Sequence, residues 1–420
     1  MSASDLPAAR PYRDPLADLP VALGVSGSIA AYKALGLASS LTQAGALVDT
    51  LLTEAASHLL RPLAFQALTH RPVTDSLWHS ASEMAMDHVA IAHRARALVI
   101  APATADLLAR LALGLADDAL TTTALATTAP LLLAPAMEPN MWAHPATQAH
   151  VATLAGRGAT FVGPRPGRMA SGLEGLGRMA EPEEIVEALR LLLGRAGPLA
   201  GRHVVVGSGP TREPIDPVRF LSNHSSGHMG LALCRGLLHA GARVTLVSGP
   251  VALPPPMGAE LLDVETAQEM CDALLRLAPS ADALVMAAAV ADYRPREVSA
   301  SKLKKTEGDI SLPLARTPDI LARLDQLLAE RGGPRPYRVG FAAETEHLEA
   351  YARDKLRRKG LDLIVANPVP ESFGPGRHQA LLLDADQVQP VSAESKDAMA
   401  QAIVERVVIA LAGRPSPPVA

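Results

Sequence analysis

The sequence predicts an α/β protein made of two consecutive domains, each built around a parallel β-sheet. Residues 21–53 and 203–250 share one plan, passing from an apolar strand through a glycine-rich turn into an amphipathic helix and a second strand. This is how a parallel sheet opens. Further apolar, strand-like runs alternate with helical patterns at 97–103, 130–137, 281–290 and 361–367. The length of 420 residues exceeds one typical domain and suits two.

The boundary between the predicted domains is the segment LLLGRAGPLAGR, residues 191–202, where a helix ends in glycine and proline. We place the first domain at residues 19–193 and the second at residues 200–412. The proline-rich start, residues 1–18, lacks the apolar core of a signal peptide, and we interpret it as a disordered tail.

Composition and charge exclude several classes of protein. The net charge of −4 gives no general attraction to nucleic acid or membrane, and no basic stripe or aromatic platform is present. Cys234 and Cys271 are the two cysteines, which argues against a disulfide scaffold and fits a reducing compartment. No apolar run is long and clean enough to span a bilayer. We therefore predict a cytoplasmic protein.

The first glycine turn, GVSGSIA, leads directly into a helix and so points backbone N–H groups at a common spot. With the hydroxyls of Ser26 and Ser28 nearby, this pattern favours a bound phosphate. The turn alone is a weak signal, because glycine serves any tight strand-to-helix connection. One such turn in each domain indicates one phosphorylated ligand per domain.

Longer motifs carry a family resemblance. The stretches GVSGSIAAYK, MDHVAIA, APATADLLARLALGLADDALTTT, APAMEPNMW and LEGLGRM resemble the flavoprotein cysteine decarboxylases. The stretches GPTREPIDPVRFLSNHSSGHMG, AAAVADYRP, KLKK, TPDIL and GFAAET resemble phosphopantothenate–cysteine ligase. Both halves in this order are similar to the bacterial bifunctional coenzyme A biosynthesis proteins, over nearly the whole chain from Val21. The resemblance implies a flavodoxin-like FMN-binding domain followed by a Rossmann-like ligase domain.

For the first domain, the resemblance implies FMN-dependent decarboxylation of 4′-phosphopantothenoylcysteine to 4′-phosphopantetheine. His88 matches the catalytic histidine, and an imidazole that titrates near neutrality can take the thiol proton. As a lone residue, His88 could equally be a solvated surface histidine, which is our interpretation of His93. The resemblance assigns FMN contacts to Gly24, Ser26, Gly27, Ser28, Thr53, Pro102, Ala103, Thr104 and Asp106.

Two positions depart from the family. Glu138 stands where asparagine is common, and Ser171 stands where cysteine is the usual proton donor. A thiol with a pKa near ~8.5 releases a proton readily, whereas an aliphatic alcohol does not. Ser171 lies at the centre of the glycine-rich stretch 163–184, which we interpret as a mobile flap over the site. The family mechanism therefore cannot apply unchanged.

Three interpretations follow. In the first, Glu138 replaces the cysteine as proton donor, kept protonated by burial and by the nearby substrate carboxylate. In the second, reduction is lost and the domain releases an oxidised enethiol. In the third, the domain is a non-catalytic FMN-binding scaffold. We favour the first, because a fused ligase needs a productive next step and the flap motif GLGRM is intact.

For the second domain, the resemblance implies coupling of 4′-phosphopantothenate to L-cysteine. CTP converts the carboxylate to an acyl-cytidylate, and the amine of cysteine then displaces CMP, with Mg²⁺ bridging the triphosphate. Lys302 matches the lysine that promotes cytidylyl transfer, and Asn223 matches the asparagine that handles the acyl-cytidylate. CTP contacts are implied for Ala288, Asp292, Lys302, Pro318, Asp319, Ile320, Leu321, Phe341, Lys355 and Lys359.

The residues themselves support parts of this assignment. Asp292 ends an apolar strand, where α/β proteins bind ligands. Lys355 and Lys359 lie one helical turn apart and can reach one phosphate chain. The basic stretch SASKLKK predicts a mobile arm. His228 stands where the family usually has lysine, so phosphate binding could be weaker or pH-dependent.

Other classes of protein explain fewer of these motifs. An NAD-dependent dehydrogenase would account for two Rossmann-like openings, but not for SNHSSG, KLKK or the missing G-x-G-x-x-G motif. The serious alternative is an active ligase whose first domain stops at the enethiol, only binds FMN or forms trimers. The resemblance also implies a homo-oligomer of trimeric decarboxylase units and dimeric ligase units, up to a dodecamer.

Overall fold

The computed structural model describes residues 13–78, 87–170, 172–305, 309, 311–344, 347–368 and 378–414. The chain divides into two compact units, one spanning Asp14–Leu193 and the other beginning at Gly194. Each unit contains a sheet of mostly parallel strands with helices between them. The predicted α/β class is confirmed.

The sheet of the first unit has the order β3-β2-β1-β4-β5-β6 among the described residues, and every neighbouring pair in it is parallel. Its strands are β1 (Pro20–Val25), β2 (Leu47–Leu52), β3 (Val73–Thr74), β4 (Ala97–Ala103), β5 (Leu131–Pro135) and β6 (Thr160–Phe161). A separate antiparallel hairpin follows, formed by β7 (Arg165–Arg168) and β8 (Glu174–Arg178). The chain reverses its direction of travel across the sheet between β1 and β4, where α/β proteins place their ligands.

The helices of the first unit bury apolar side chains, with the exception of α7, which has no buried residue. They are α1 (Tyr32–Gln43), α2 (Glu54–Leu59), α3 (Pro62–Thr69), α4 (Asp87–Arg94), α5 (Ala105–Leu113), α6 (Ala119–Ala126), α7 (Pro139–Ala143), α8 (Pro145–Gly156) and α9 (Pro182–Gly194). Leu107 on α5 and Leu120 on α6 pack with Leu98 and Ile100 of β4 in one core cluster. Apolar burial of this kind supplies most of the folding free energy.

The sheet of the second unit has the order β13-β12-β9-β14-β17-β18-β19-β20 in the described part of the chain. Its strands are β9 (His203–Ser208), β12 (Arg243–Ser248), β13 (Glu260–Asp263), β14 (Ala283–Met286), β17 (Tyr337–Glu344), β18 (Leu363–Pro368), β19 (His378–Leu383) and β20 (Val388–Ala393). The last two strands are antiparallel additions to a parallel sheet. Two small hairpins stand apart, β10 (Arg212–Pro214) with β11 (Phe220–Ser222) and β15 (Tyr293–Pro295) with β16 (Leu314–Arg316).

The helices of the second unit are α10 (His228–His239), α11 (Ala267–Leu277), α12 (Ile320–Arg331), α13 (Leu348–Arg358) and α14 (Lys396–Leu411). Cys234 on α10 and Cys271 on α11 are thiols outside any disulfide, and both are fully buried. Burial raises the pKa of the Cys271 thiol. A buried neutral thiol behaves as a small apolar side chain.

The strand predictions hold well, and the predicted tail is too long. The run 97–103 forms β4 over its full length, and the run 130–137 contains β5. Residues 1–12 lie outside the described part of the chain, but residues 14–18 are part of the first unit. Leu16 is fully buried, and the Asp14 carboxylate lies 2.7 Å from the Arg190 guanidinium.

No helix in the described ranges combines the length and the apolar character that a membrane span requires.

Candidate functional site

Three neighbouring strands of the first unit end in helix caps. The hydroxyl of Ser28 follows β1 and accepts a hydrogen bond from Ala30 N–H, Thr53 follows β2 and caps α2, and Thr104 follows β4 and caps α5. Since β2, β1 and β4 are adjacent and parallel, their carboxyl ends meet at one edge. The N-termini of α2, α5 and a short 3₁₀ turn (Ile29–Ala31) that leads into α1 therefore begin side by side, and their N–H groups carry partial positive charge.

A buried serine ties two of these strand ends together. Ser26 Oγ donates to the carbonyl of Pro102 at 2.8 Å and accepts from the N–H of Thr104 at 3.1 Å. The structure thus brings the predicted FMN residues to one edge of the sheet, namely Gly24, Ser26, Gly27, Ser28, Thr53, Pro102, Ala103, Thr104 and, exposed in the first turn of α5, Asp106. Backbone N–H groups and hydroxyls are the donor set that a phosphate monoester needs, so these residues fit the phosphate end of FMN.

The predicted flap is a β-hairpin whose second strand runs beside the exit of β5. Met137 N–H donates to the carbonyl of Gly177 at 3.0 Å. A Cβ at Gly177 would lie 2.1 Å from the Met137 carbonyl oxygen, so this approach requires glycine. The hairpin therefore lies against the segment that carries Glu138. Ser171, between its strands, falls outside the described residues.

Glu138 acts as the N-cap of α7. One carboxylate oxygen accepts from Asn140 N–H at 2.8 Å and from Met141 N–H at 3.2 Å, and the other accepts from Asn140 Nδ2 at 3.1 Å. The side chain is only half-buried. The burial that the sequence analysis expected for this carboxyl group is therefore not present, and its capping role was not predicted.

His88 lies in the first turn of α4 and is half-buried. Its backbone carbonyl accepts a hydrogen bond from Thr123 Oγ1 at 3.3 Å, which joins α4 to α6. None of the described residues hydrogen-bonds to its imidazole. His93, on the same helix, is exposed, as predicted.

In the second unit, a cavity of about 570 Å³ opens where β14 ends, beside Gly340 and Phe341 of β17. Nine of the ten predicted CTP residues line it: Ala288, Asp292, Pro318, Asp319, Ile320, Leu321, Phe341, Lys355 and Lys359. The tenth, Lys302, is exposed on a separate segment. Arg316 and Arg358 also line the cavity and were not predicted. These cations make the cavity suitable for a polyphosphate.

The two predicted lysines of this cavity, Lys355 on α13 and Lys359 just after it, are each held by a different partner. Lys355 Nζ donates to the carbonyl of Phe341 at 2.8 Å. Lys359, at the end of α13, forms an ion pair with Asp319, which caps α12 through Ala322 N–H. Burial raises the pKa of Asp319, but the hydrogen bonds from Lys359 and Ala322 outweigh it, so the pKa is lowered overall.

A second cavity of about 610 Å³ lies at the start of α10 and contains Asn223 and His228. Asn223 Nδ2 donates to the carbonyl of Ala289 at 3.0 Å. Because Ala288 lines the first cavity, this hydrogen bond places Asn223 beside it. The His228 ring lies 2.8 Å from Ser226 Oγ. Gly227 has φ 74°, and a Cβ there would lie 2.6 Å from Val251, so the turn before α10 requires glycine.

Sequence reasoning missed the groups that shape this second cavity. The Arg212 guanidinium lies 4.7 Å above the Phe220 ring, across the β10–β11 hairpin. Both residues belong to GPTREPIDPVRF, so the motif was found but these side chains were not singled out. Among the described residues, no group of three or more His, Cys, Asp or Glu side chains could hold a metal ion.

Two family models match the chain. The flavoprotein model matches residues 9–194, and the model of the DNA/pantothenate metabolism flavoprotein C-terminal domain matches residues 199–410. Together they span both structural units.

Several curated relatives match over most of their length, and they share the name coenzyme A biosynthesis bifunctional protein CoaBC. The protein of Vibrio parahaemolyticus is 43% identical over 397 residues, covering 93% of this chain and 98% of the relative. That of Bacillus subtilis is 46% identical, covering 83% and 86%. That of Mycobacterium tuberculosis is 45% identical, covering 94% and 97%. A solved structure of the C-terminal domain of CoaBC is 36% identical, covers 51% of this chain and 98% of that chain, and has a TM-score of 0.44.

Proposed function

The chain belongs to the family of coenzyme A biosynthesis bifunctional proteins, and we propose that it performs both of the family's activities. Its second unit couples 4′-phosphopantothenate to L-cysteine, and its first unit decarboxylates the resulting 4′-phosphopantothenoylcysteine to 4′-phosphopantetheine. The observation that carries this proposal is the cavity of the second unit, where residues from four separate sequence motifs meet.

In the ligase reaction, CTP binds in that cavity with Lys355, Lys359 and Arg358 around its phosphates. The carboxylate of 4′-phosphopantothenate attacks the α-phosphorus, pyrophosphate leaves, and Lys302 offsets the negative charge that develops. Asn223 holds the acyl-cytidylate while the cysteine amine displaces CMP. Mg²⁺ bound together with CTP would supply further charge neutralisation.

In the decarboxylase reaction, the strand-end hydroxyls and helix N-termini of the first unit hold the phosphate of FMN. FMN supplies a reversible acceptor for the hydride of the cysteinyl group. His88 takes the thiol proton, because its imidazole is free of other hydrogen bonds within the described residues. The Ser26 bridge keeps the β1 and β4 ends in register around the cofactor.

The final proton has to come from a group other than a cysteine thiol of this unit, since both cysteines lie in the second half. Glu138 is our candidate. A protonated carboxyl has less capacity to accept the three N–H donors of Asn140 and Met141, so proton delivery and helix capping compete. Delivery therefore requires the cap to loosen when substrate binds.

The family resemblance also supports a homo-oligomer of trimeric decarboxylase units and dimeric ligase units. Two buried cysteines that form no disulfide support the reducing environment of a cytoplasm.

A mass-resolved product assay tests the decarboxylase proposal. Purified protein with FMN receives 4′-phosphopantothenoylcysteine alone, and we expect 4′-phosphopantetheine. A product two hydrogens lighter would show that reduction is lost, and unchanged substrate would leave the first unit as a scaffold.

The variant Glu138→Gln then tests the proton donor in the same assay. We expect it to accumulate the lighter product. If Glu138→Gln still makes 4′-phosphopantetheine at the wild-type rate, Glu138 is not the donor and capping is its role. The variant Ser171→Cys restores the family's thiol and is expected to rescue Glu138→Gln.

A further inference from the structure

A buried carboxylate holds the segment that carries Lys302, and this inference rests on the ligase activity proposed above. Lys302 and Lys304 flank Leu303 in the segment 299–305, the lysine arm. The Lys302 side chain is exposed and pairs with none of the described residues. Its position is therefore set by the backbone on which it stands.

Hydrogen bonds hold that backbone at both peptide groups of Leu303. Asp216 Oδ2 accepts the N–H of Leu303 at 3.1 Å, and Arg219 Nη2 donates to the carbonyl of Leu303 at 2.8 Å. Nearer the start of the arm, Ser299 N–H donates to the carbonyl of Ile215 at 3.0 Å. The arm, which the sequence predicted to be mobile, is thus fastened at two points to one loop.

Asp216 is the centre of this set of hydrogen bonds, which we call the clamp: Asp216 and Arg219 bound to the peptide groups of Leu303. Its side chain is fully buried, and it accepts from five N–H groups: Val218 N, Arg219 N, Arg219 Nε, Arg219 Nη2 and Leu303 N. The hydrogen bonds from Arg219, followed by those from the backbone, hold the pKa of Asp216 far below its usual range. A buried carboxylate that accepts this many hydrogen bonds holds its partners in one arrangement, because moving any of them would leave a buried polar group unpaired.

The same hairpin that carries this clamp also carries Asn223. Asp216 and Arg219 lie in the turn between β10 and β11, and Asn223 follows β11 directly. Asn223 is bonded in turn to Ala289, next to the nucleotide cavity. Both proposed catalytic side chains therefore take their positions from one structural element.

We propose that Asp216 is a positioning residue for cytidylyl transfer. By fixing both peptide groups of Leu303, together with Arg219, it presents the Lys302 ammonium group to the triphosphate. It acts through Lys302 and does not touch substrate. A displacement of about 1 Å of a reacting group can cost about 100-fold in rate.

The test is a double-mutant cycle on the full-length protein, following steady-state pyrophosphate release from CTP and 4′-phosphopantothenate with cysteine present to consume the acyl-cytidylate. We expect Asp216→Asn to lower kcat about 100-fold while KM for both substrates stays within about twofold. We expect Asp216→Asn combined with Lys302→Gln to be no slower than Lys302→Gln alone. Losses that multiply, or a loss confined to KM, would overturn the proposal.

Asp384→Asn is the matched control. Asp384 also accepts the N–H groups two and three residues ahead and pairs with an arginine, Arg406, but it lies in the β19–β20 turn. We expect its kcat to match the wild type. An equal loss in Asp384→Asn would show that any such change merely disturbs the fold.

If Asp216→Asn does not fold, a backbone ester at Leu303, made by translation with leucic acid, removes only the N–H that Asp216 accepts. We expect about a 10-fold loss of kcat, and a wild-type rate would overturn the proposal.

Trypsin cleavage after Lys302 and Lys304 supplies a readout that does not depend on activity. We expect faster cleavage in Asp216→Asn than in Asp384→Asn, and equal cleavage would contradict the clamp. Wild-type protein that releases no pyrophosphate would instead overturn the proposed ligase function, and the positioning role with it, while the cleavage result would still report on the clamp.

Discussion

The two units use their site residues in different ways. In the first unit, Ser28, Thr53, Thr104 and Glu138 each cap a helix, so the side chains expected to surround the cofactor and substrate also hold the fold. In the second unit, Lys302 is exposed and pairs with none of the described residues. A substitution in the first site should therefore change stability and binding together, whereas one at Lys302 should change catalysis alone.

The physical reason lies in the ligands each unit is built for. A phosphate monoester can be bound by helix N-termini and hydroxyls, which are already part of the fold. Cytidylyl transfer develops negative charge on the phosphoryl group, which calls for a positioned cation that no other side chain neutralises. The difference between the units thus predicts which substitutions change activity without changing stability.

The largest expected effect tests this separation in the second unit. Lys302→Gln should slow acyl-cytidylate formation about 100- to 1,000-fold, because it removes the positive charge that we propose offsets the charge developing on the reacting phosphate. The midpoint of thermal unfolding and the decarboxylation of supplied 4′-phosphopantothenoylcysteine should not change. Pyrophosphate release, calorimetry and the product assay measure these three quantities. Lys304→Gln, one residue beyond Leu303, is the control, and an equal loss there would assign the effect to the general charge of the arm.

An intermediate effect tests the coupling in the first unit. Thr104→Ala should cost about 1 kcal/mol of unfolding free energy, because it removes the cap of α5. It should also weaken FMN binding, since the Thr104 N–H and hydroxyl both adjoin Ser26. Denaturant unfolding and flavin fluorescence titration measure the two losses. Thr104→Ser keeps the cap and should keep both properties, while a loss of stability with unchanged FMN affinity would show that the cap does not contribute to FMN binding.

The smallest expected effect concerns a residue of the second unit away from both cavities. Burial, followed by the charge of Arg243, lowers the pKa of His203, whose ring lies 2.9 Å from Thr245 Oγ1. The unfolded chain then binds a proton more readily than the folded one, so stability declines as pH falls below about 6.5 and levels off at the folded pKa. Denaturant titrations between pH 7.5 and about 5 measure this slope. In His203→Gln the slope should be shallower, and an unchanged slope would assign it to other groups.

Much of the fold could be predicted because its signals are local. The run 97–103 is apolar throughout, and it forms a strand buried on both faces over the same residues. The structure of the flap was harder to predict. Its glycines suggested mobility, but Gly177 is required by the close approach of the Met137 carbonyl, a contact between segments 40 residues apart.

The candidate sites show the same difference between local signals, which could be predicted, and contacts between distant segments, which could not. The proposed nucleotide site could be predicted in part because Ala288 and Asp292 follow β14, and α/β proteins bind ligands where parallel strands end. The clamp on the lysine arm could not, because Asp216 and Leu303 are 87 residues apart and lie outside the main sheet. The capping role of Glu138 was also missed, although Glu-Pro is a recognisable start of a helix.

The two buried cysteines have a practical consequence for labelling. Maleimide reagents need an accessible thiolate, and both native thiols are enclosed in the core of the second unit. A single cysteine introduced at an exposed position, for instance at Lys304, would therefore be the site that reacts in the folded protein. A fluorophore attached there could follow the lysine arm in real time, with both native cysteines left in place.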